Sequence, residues 1–344
     1  MPERPPELLE RPAPADAPPP AAPRPARLRN RRLFRFLAVV AVTLAVLLGT
    51  MAGALFVATE NLGNNIKRVH DVFTPLLPGA RPASTGQLTF LLIGRDSGVT
   101  PAPADVYMLA STNASRTAAS VVALPPDLGV DVPGQGQRPL DAVASLGGPS
   151  MQVEAVEALT NLRVDHYAVV DFAELDATVD LVGGIELGVA EATRSGGVEF
   201  AEGSNRLDGA EMLAFLRQTD LPGGEADRAQ RQQAVVRALS RQVIEQVPDR
   251  GPIAAYDLFD TASSALTVDD KLTNYNLRAL GLELRNVRPA TTSFLFAPVA
   301  GAAEGGVLSL DEARATRLWD ALRTDSVDSY SSQFPDDVLG AEVP

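Results

Sequence analysis

Arginine is concentrated in one short stretch, Leu213 to Gln233 (LAFLRQTDLPGGEADRAQRQQ). It holds Arg217, Arg228 and Arg231, the acids Asp220, Glu225 and Asp227, and the amide pair Gln232 and Gln233. A guanidinium is a planar fork of donors that meets two oxygens at once, which suits phosphate and carboxylate. The chemistry available to such a cluster is binding phosphoryl oxygens and stabilising charge that develops on them. A second set of candidates is acidic: Asp96, Asp105 and Asp127 each stand at the end of a strand-like run. Loops at strand ends are where α/β folds place ligand chemistry. Each feature also has a plain structural reading. Aspartate favours turns anyway, and a charged loop between two helices is commonly a solvated, ion-paired surface.

The elements that must position these side chains follow from periodicity. Leu213 and Leu216 before the Pro222-Gly223-Gly224 turn, and Val235, Val236 and Leu239 after it, predict helix, tight loop, helix. Asp208 is the expected cap of the first helix. Apolar runs of strand length occur at LTFLLIG (88–94), VYMLAS (106–111), SVVAL (120–124), HYAVVDF (166–172), Ile185–Val189 and SFLFAPV (293–299). Helical patterns lie at Ser150–Leu159, with Ser150 as cap, at Phe172–Leu181, and at Leu310–Leu322, opened by Asp311. The polar segment 192–207 reads as loop, the stretch after Val247 as mainly helical, and residues 327–344 as a loose tail. Strands alternating with helices indicate a layered α/β domain.

Composition closes off several function classes. The chain has 344 residues, no cysteine and only two histidines, His70 and His166. Disulfides and thiolate metal sites are excluded, and a Ser-His-Asp or zinc-histidine site would have to be built on one of two isolated histidines. Residues 1–58 carry eight arginines and four acids, whereas the remainder carries 22 basic and 39 acidic residues. An acidic domain of this kind argues against nucleic-acid binding, which needs a basic footprint.

The N-terminal quarter is organised around a membrane signal. Residues 1–35 are rich in Pro, Ala and Arg without apolar period and are expected to be a disordered cytoplasmic tail. Phe36 to Ala58 carries no charge and is long enough to cross a bilayer as a helix. The arginines before it place the tail inside and everything after Ala58 outside. The reading is therefore a single-pass membrane protein with its N-terminus inside and an extracytoplasmic C-terminal domain. An uncleaved anchor is expected over a cleaved signal peptide, although Ala52-Gly53-Ala54 has the small residues of a cleavage site. Residues 59–87 read as a stalk and residues 88–326 as the folded domain.

Several blocks in order give the chain a family likeness: LLIGRDS, Asp105 opening a strand, PPD, ASLGGP, YAVVDFAELDATVDLVGGIELGV, LDGAEMLAFLRQ and DRAQRQQ. Together they resemble the LytR-CpsA-Psr family of cell-envelope proteins over about residues 86–326. The resemblance implies a three-layer α/β/α domain with a central mixed sheet and an apolar pocket for a polyprenyl chain. It implies transfer of an anionic glycopolymer from a polyprenyl-pyrophosphate carrier to peptidoglycan through a phosphodiester bond, with Mg2+ as the metal. Carried over by position, Asp96 and Asp105 hold the metal, and Arg217 and Arg228 clamp the pyrophosphate. Glu225 orients Arg228 or activates the acceptor hydroxyl, Asp127 is the acid of a Pro-Arg-Asp block, and Gln232 contacts pyrophosphate beside Arg231. The family pattern is broken at Pro103, Pro126 and Thr219, each of which stands where an arginine is expected, and at Asp141, which replaces an Asn. Arg95 and Arg138 are the nearby candidates to substitute. The alternative that these losses motivate is a weakened or inactive relative that binds polyprenyl lipid or wall polymer as a scaffold or regulator.

Overall fold

The computed structural model describes residues 64–73, 81–98, 106–132, 134–218, 220–246, 251–302 and 307–344. The expected tail and membrane segment, most of the stalk, Pro103, Asp105 and Thr219 lie outside the described residues. Among the described residues, no helix is long and apolar enough to cross a membrane.

In chain order the strands are β1 Lys67–Val69, β2 Thr89–Arg95, β3 Val106–Thr112, β4 Ala119–Leu124, β5 Gly129–Val132, β6 Gly136–Pro139 and β7 His166–Asp171. They continue as β8 Ile185–Val189, β9 Thr193–Ser195, β10 Val198–Phe200, β11 Gly203–Leu207, β12 Leu266–Asp269, β13 Thr292–Phe296, β14 Val299–Ala302, β15 Leu308–Leu310 and β16 Glu342–Val343. The α-helices are α1 Leu140–Thr160, α2 Asp176–Leu181, α3 Gly209–Leu216, α4 Glu225–Gln246, α5 Gly251–Ser264, α6 Asn274–Glu283, α7 Glu312–Thr324 and α8 Val327–Gln333.

Seven strands form the central sheet in the order β1-β12-β7-β2-β3-β4-β13. The sheet is mixed: β1–β12, β7–β2 and β4–β13 pair in parallel, and the other neighbours pair antiparallel. Alternation along the strands divides the core between the two faces. Leu91, Ile93, Tyr107 and Leu109 pack toward Val153 and Val156 of α1 and Leu318 and Trp319 of α7. Val106, Met108 and Val121 pack toward Met212 and Phe215 of α3 and Ala234 and Val235 of α4. Helices thus cover both apolar faces of the sheet, as a layered α/β fold requires. A smaller sheet, β11-β8-β16, flanks α4.

The local signals explain where the helices begin and end. Asp208 caps α3 in a reciprocal box with Glu211, and the Asp311 side chain accepts the Arg314 amide at the start of α7. Helix α1 starts ten residues earlier than its apolar period suggests. It is broken at Gly147 and at Gly148, whose φ of 65° breaks the helical geometry. Pro149 opens the second half, and the Ser150 hydroxyl donates to the Asp71 carbonyl rather than capping the helix.

Four segments correct the sequence reading. Lys67–Val69, expected within the stalk, is an edge strand. Leu266–Asp269, expected in a helical stretch, is strand β12 between β1 and β7. Segment 192–207 is not loop but the β9–β10 hairpin and β11. Residues 327–344 are not a loose tail: Tyr330 is buried and donates to Asp337, and Val343 is buried where β16 pairs with β8. Each of these pieces is too short to show a period of its own, and its burial comes from partners distant in sequence.

Candidate functional site

The predicted helix–loop–helix is present, and it brings Arg217 and Arg228 to the C-terminal end of β2. Helix α3 ends at Leu216, so Arg217 projects from its C-terminal cap position. Its guanidinium meets Asp96 at two points: Nε to Oδ2 at 2.7 Å and Nη2 to Oδ1 at 2.8 Å. The Gly98 amide also donates to Asp96 Oδ1, at 3.1 Å. These bonds, led by the Arg217 contact, hold the Asp96 carboxyl below its ordinary value against the opposing effect of burial, and the Arg228 charge adds to them. The Arg217 guanidinium is raised for the same reason. Gly98 permits the approach, because a Cβ there would lie 2.7 Å from Arg217 Nη2.

The loop after Arg217 is closed by Gly224, whose φ is +60° and whose amide donates to the Leu221 carbonyl at 3.0 Å. The Gly223 amide donates to Asp227 Oδ2 at 2.6 Å, so Asp227 fixes the turn. Helix α4 then begins at Glu225. Glu225, Arg228 and Gln232 recur at three and four residues and share one face of α4. Arg228 Nη1 bonds both Glu225 oxygens, at 3.0 and 3.2 Å. The Arg228 side chain is mostly buried while Glu225 is half exposed. Gln232 is buried on the same face with no side-chain hydrogen bond among the described residues.

Asp127 completes the group from the end of β4. Burial pushes its carboxyl up from the ordinary value, a bond from its own backbone amide opposes that, and the neighbouring charges of Glu225 and Asp141 add to the rise. Its Oδ1 is buried without a hydrogen-bond partner. Asp141 is held beside it by its amide, which donates to the Pro126 carbonyl at 2.9 Å. The structure thus gathers Asp96, Arg217, Arg228, Glu225 and Asp127, drawn from the ends of β2, β4 and α3 and the start of α4.

Three other candidates lie elsewhere. Arg231 is fully buried. Its Nη1 donates to the Phe215 carbonyl at 3.1 Å and to Gln218 Oε1 at 2.7 Å, and its guanidinium stacks 4.0 Å from the Phe215 ring. It ties α4 to α3 and, through Nε, to the Pro344 carbonyl, so its bonds go to protein groups where the sequence reading expects a substrate contact. Burial lowers it to about 10, so it stays charged at neutral pH. Arg95 lines a cavity of about 280 Å³ with Tyr167, Gln152 and Pro149, on the α1 side of the sheet. Asp96, the next residue, turns the other way to meet α3. Arg138 is exposed on the β5–β6 hairpin opposite Val130. Neither Arg95 nor Arg138 bonds the Asp96 pair. Gln233 is the reverse case, named in the sequence without a role: its amide donates to the Leu295 carbonyl at 2.7 Å and holds α4 against β13.

Most of the chain matches a known family. The model of the LytR_cpsA_psr family covers residues 57–324. The chain belongs to this family. The probable cell wall biosynthesis protein LcpB of Corynebacterium glutamicum is 28% identical over 303 residues, covering 80% of this chain and 71% of that protein. A polyisoprenyl-teichoic acid–peptidoglycan teichoic acid transferase, TagU of Enterococcus faecalis, is 32% identical over 160 residues. That match covers 45% of this chain and 53% of TagU, so the chain spans about half of that relative. Among solved structures, the LytR-Csp2A-Psr enzyme from Actinomyces oris superposes with a TM-score of 0.60 at 23% identity, over 75% of this chain and 95% of the other. That likeness establishes the mixed α/β fold.

Proposed function

We propose that this protein transfers an anionic glycopolymer from a polyprenyl-pyrophosphate carrier to peptidoglycan, anchored in the bacterial cytoplasmic membrane by Phe36–Ala58. The observation that carries the reading is the convergence of Arg217 and Arg228 on Asp96, with Glu225 and Asp127 alongside. Relatives named as a cell wall biosynthesis protein and a teichoic acid transferase support the reaction class. Between sheet and helices, Leu92, Ala110, Val170, Val236 and Leu239 are only partly buried, apolar surface of the kind an isoprenoid chain needs.

In this reading an acceptor hydroxyl of peptidoglycan attacks the phosphorus that bears the polymer. The new P–O bond forms as the bond to the polyprenyl phosphate breaks, and polyprenyl phosphate leaves. Negative charge collects on phosphoryl oxygens, where preorganised guanidiniums are most effective. Arg217 spends Nε and Nη2 on Asp96 and keeps donors on Nη1. Glu225 orients Arg228 and is the half-exposed carboxylate available to take the acceptor proton.

Magnesium would be held by Asp96 together with Asp105. Asp96 fits: its lowered pKa keeps it ionised, and Oδ2 accepts only the Arg217 Nε bond, which leaves a lone pair. Magnesium takes one or two carboxylates plus phosphate oxygens and water, and would supply charge neutralisation at the pyrophosphate.

A second reading, a relative with weak or no turnover that binds lipid or wall polymer, is favoured by Pro126. A guanidinium there would stand next to Asp127, whose Oδ1 has no partner. The experiment that separates the two is phosphate release from a short-chain polyprenyl pyrophosphate by the purified protein, with and without magnesium, beside Arg228→Ala. Metal-dependent turnover lost in the variant supports the transferase. Saturable lipid binding without turnover supports the second reading.

A further inference from the structure

The described chain enters the domain at the end of the sheet that carries the site. Strand β1 is parallel to β12, β12 is antiparallel to β7, and β7 is parallel to β2. The start of β1 is therefore level with the end of β2, where Asp96 meets Arg217. The side chains close this gap. Lys67 pairs with Glu174 at 3.7 Å. Glu174 follows Ala173, whose methyl, with Arg217, walls the space around Gly98. The two residues just before β1 are pinned as well. Asn65 donates to Asp260 of α5 at 2.7 Å, and Asn64 accepts from Asn274 of α6 at 3.0 Å.

Beside each of these pins stands an exposed aromatic ring. Phe259, next to Asp260, is 46% exposed, and Tyr275, next to Asn274, is 76% exposed. Neither ring belongs to a core cluster, and each is the sequence neighbour of a residue that holds the entering chain. Six Cα steps separate Ala58, the last residue of the uncharged run, from Asn64, a reach of at most about 20 Å. An apolar run that leaves a bilayer at Ala58 therefore holds this face within one short tether of the lipid.

We infer that the face around Asn64–Asn65 rests on the bilayer, with Phe259 and Tyr275 seated in the lipid interface, so that the Arg217–Asp96 end of the sheet opens toward the membrane. The inference rests on the anchored reading above and goes beyond it, because an anchor alone leaves the domain's orientation free. Aromatic rings with one apolar side and one wet side collect at membrane interfaces. Charge does not carry this contact, since the chain after residue 58 has 22 basic and 39 acidic residues and is repelled by anionic headgroups. The orientation shortens the path for a substrate whose isoprenoid tail stays in the bilayer while its pyrophosphate reaches the arginines.

The absence of cysteine makes the test direct. Single cysteines are introduced into the full chain as Phe259→Cys, Tyr275→Cys and, as control, Ser115→Cys. Ser115 is exposed in the β3–β4 turn at the opposite end of the sheet. Each variant is labelled with an environment-sensitive fluorophore. It is then reconstituted in vesicles of phosphatidylethanolamine and phosphatidylglycerol, with or without headgroup-level spin-labelled lipid. The expected result is strong quenching and a blue shift at 259 and 275 and neither at 115. Protein that floats with the vesicles but shows equally weak quenching at all three positions overturns the inference and leaves the anchor standing. Protein that fails to float overturns the anchor and the inference together, whatever its phosphate-release activity.

Discussion

Arg217 and Asp96, 121 residues apart in sequence, are joined by two nearly parallel hydrogen bonds of 2.7 and 2.8 Å. The pair locks the C-terminal end of α3 to the end of β2 and sets the direction in which the remaining Arg217 donors point. A lysine at 217 keeps the charge but offers one ammonium in place of the fork. Arg217→Lys is expected to lower phosphate release from a polyprenyl pyrophosphate about a hundredfold or more. The cost to stability should be near 1 kcal/mol, because the pair is partly exposed. Steady-state kinetics beside a thermal melt check both figures. Activity within a few-fold of the parent would remove Arg217 from the site.

Gly98 tests the same pair without touching it. A Cβ at 98 meets Arg217 Nη2 at 2.7 Å and the Ala173 methyl at 3.1 Å. The far end of Arg217 is flexible enough to move, so the fold should survive while the two-point bond does not. Gly98→Ala is expected to leave the melting temperature within about 3 °C of the parent, a change below 1 kcal/mol, and to lower turnover about tenfold or more.

Asp127 gives a prediction in pH. Burial and the charges of Glu225 and Asp141 raise its pKa in the folded protein above the ordinary value of 3.8. The unfolded chain therefore loses this proton first, and the folded state loses stability as pH rises from 3.8 through the raised value. Above that value the deficit is constant. Asp127→Asn removes it, so the variant should match the parent at the acid end and exceed it at neutral pH by roughly 0.5–1 kcal/mol. Phosphate release should fall in the same variant, since a strained carboxylate retained at a site marks a trade of stability for function. Urea melts across the pH range measure the first effect. A variant less stable than the parent at neutral pH would show that the bond from its own backbone amide outweighs burial and the neighbouring charges.

Much of this was legible in the residues, for identifiable reasons. The six long strand candidates and the helices around the Arg-rich stretch carry their burial pattern in their own period, so Ile185–Val189 is found with its bounds. Asp208 and Asp311 announce helix starts by local hydrogen bonding. The grouping of Asp127 with Glu225 was legible only through family resemblance, because nothing local links a strand end to a helix start 98 positions later. Strands β1 and β12 were missed since three or four residues hold no period. Helix α8 and β16 were missed because Tyr330 and Val343 are buried by distant partners. The direction in which an arginine points is also invisible in sequence. Arg228 and Arg231, three residues apart on neighbouring positions of α4, end up with different partners, one bonded to Glu225 at the site and the other to the Phe215 carbonyl and Gln218 in the core.

Arg231 is where that difference can be measured. Its guanidinium is fully buried, bonded to the Phe215 carbonyl and Gln218 and stacked on the Phe215 ring, while its Nη2 has no partner. Asp227 and Asp220 only partly offset the burial that lowers its pKa to about 10. A buried charge without a full set of partners is held by the packing around it, not the reverse. Removing the side chain leaves the Phe215 carbonyl and Gln218 without their donor and opens a cavity between α3 and α4. Arg231→Ala is therefore expected to cost about 3 kcal/mol or more. Arg231→Met fills the volume without the charge and should recover a large part of that loss. Both variants should bind a polyprenyl pyrophosphate with nearly unchanged affinity at temperatures where they remain folded. Arg228→Ala should do the opposite, weakening binding with little loss of stability. Calorimetric melts and lipid titrations on the three variants separate the roles, and a large loss of affinity in Arg231→Met would return Arg231 to the substrate site.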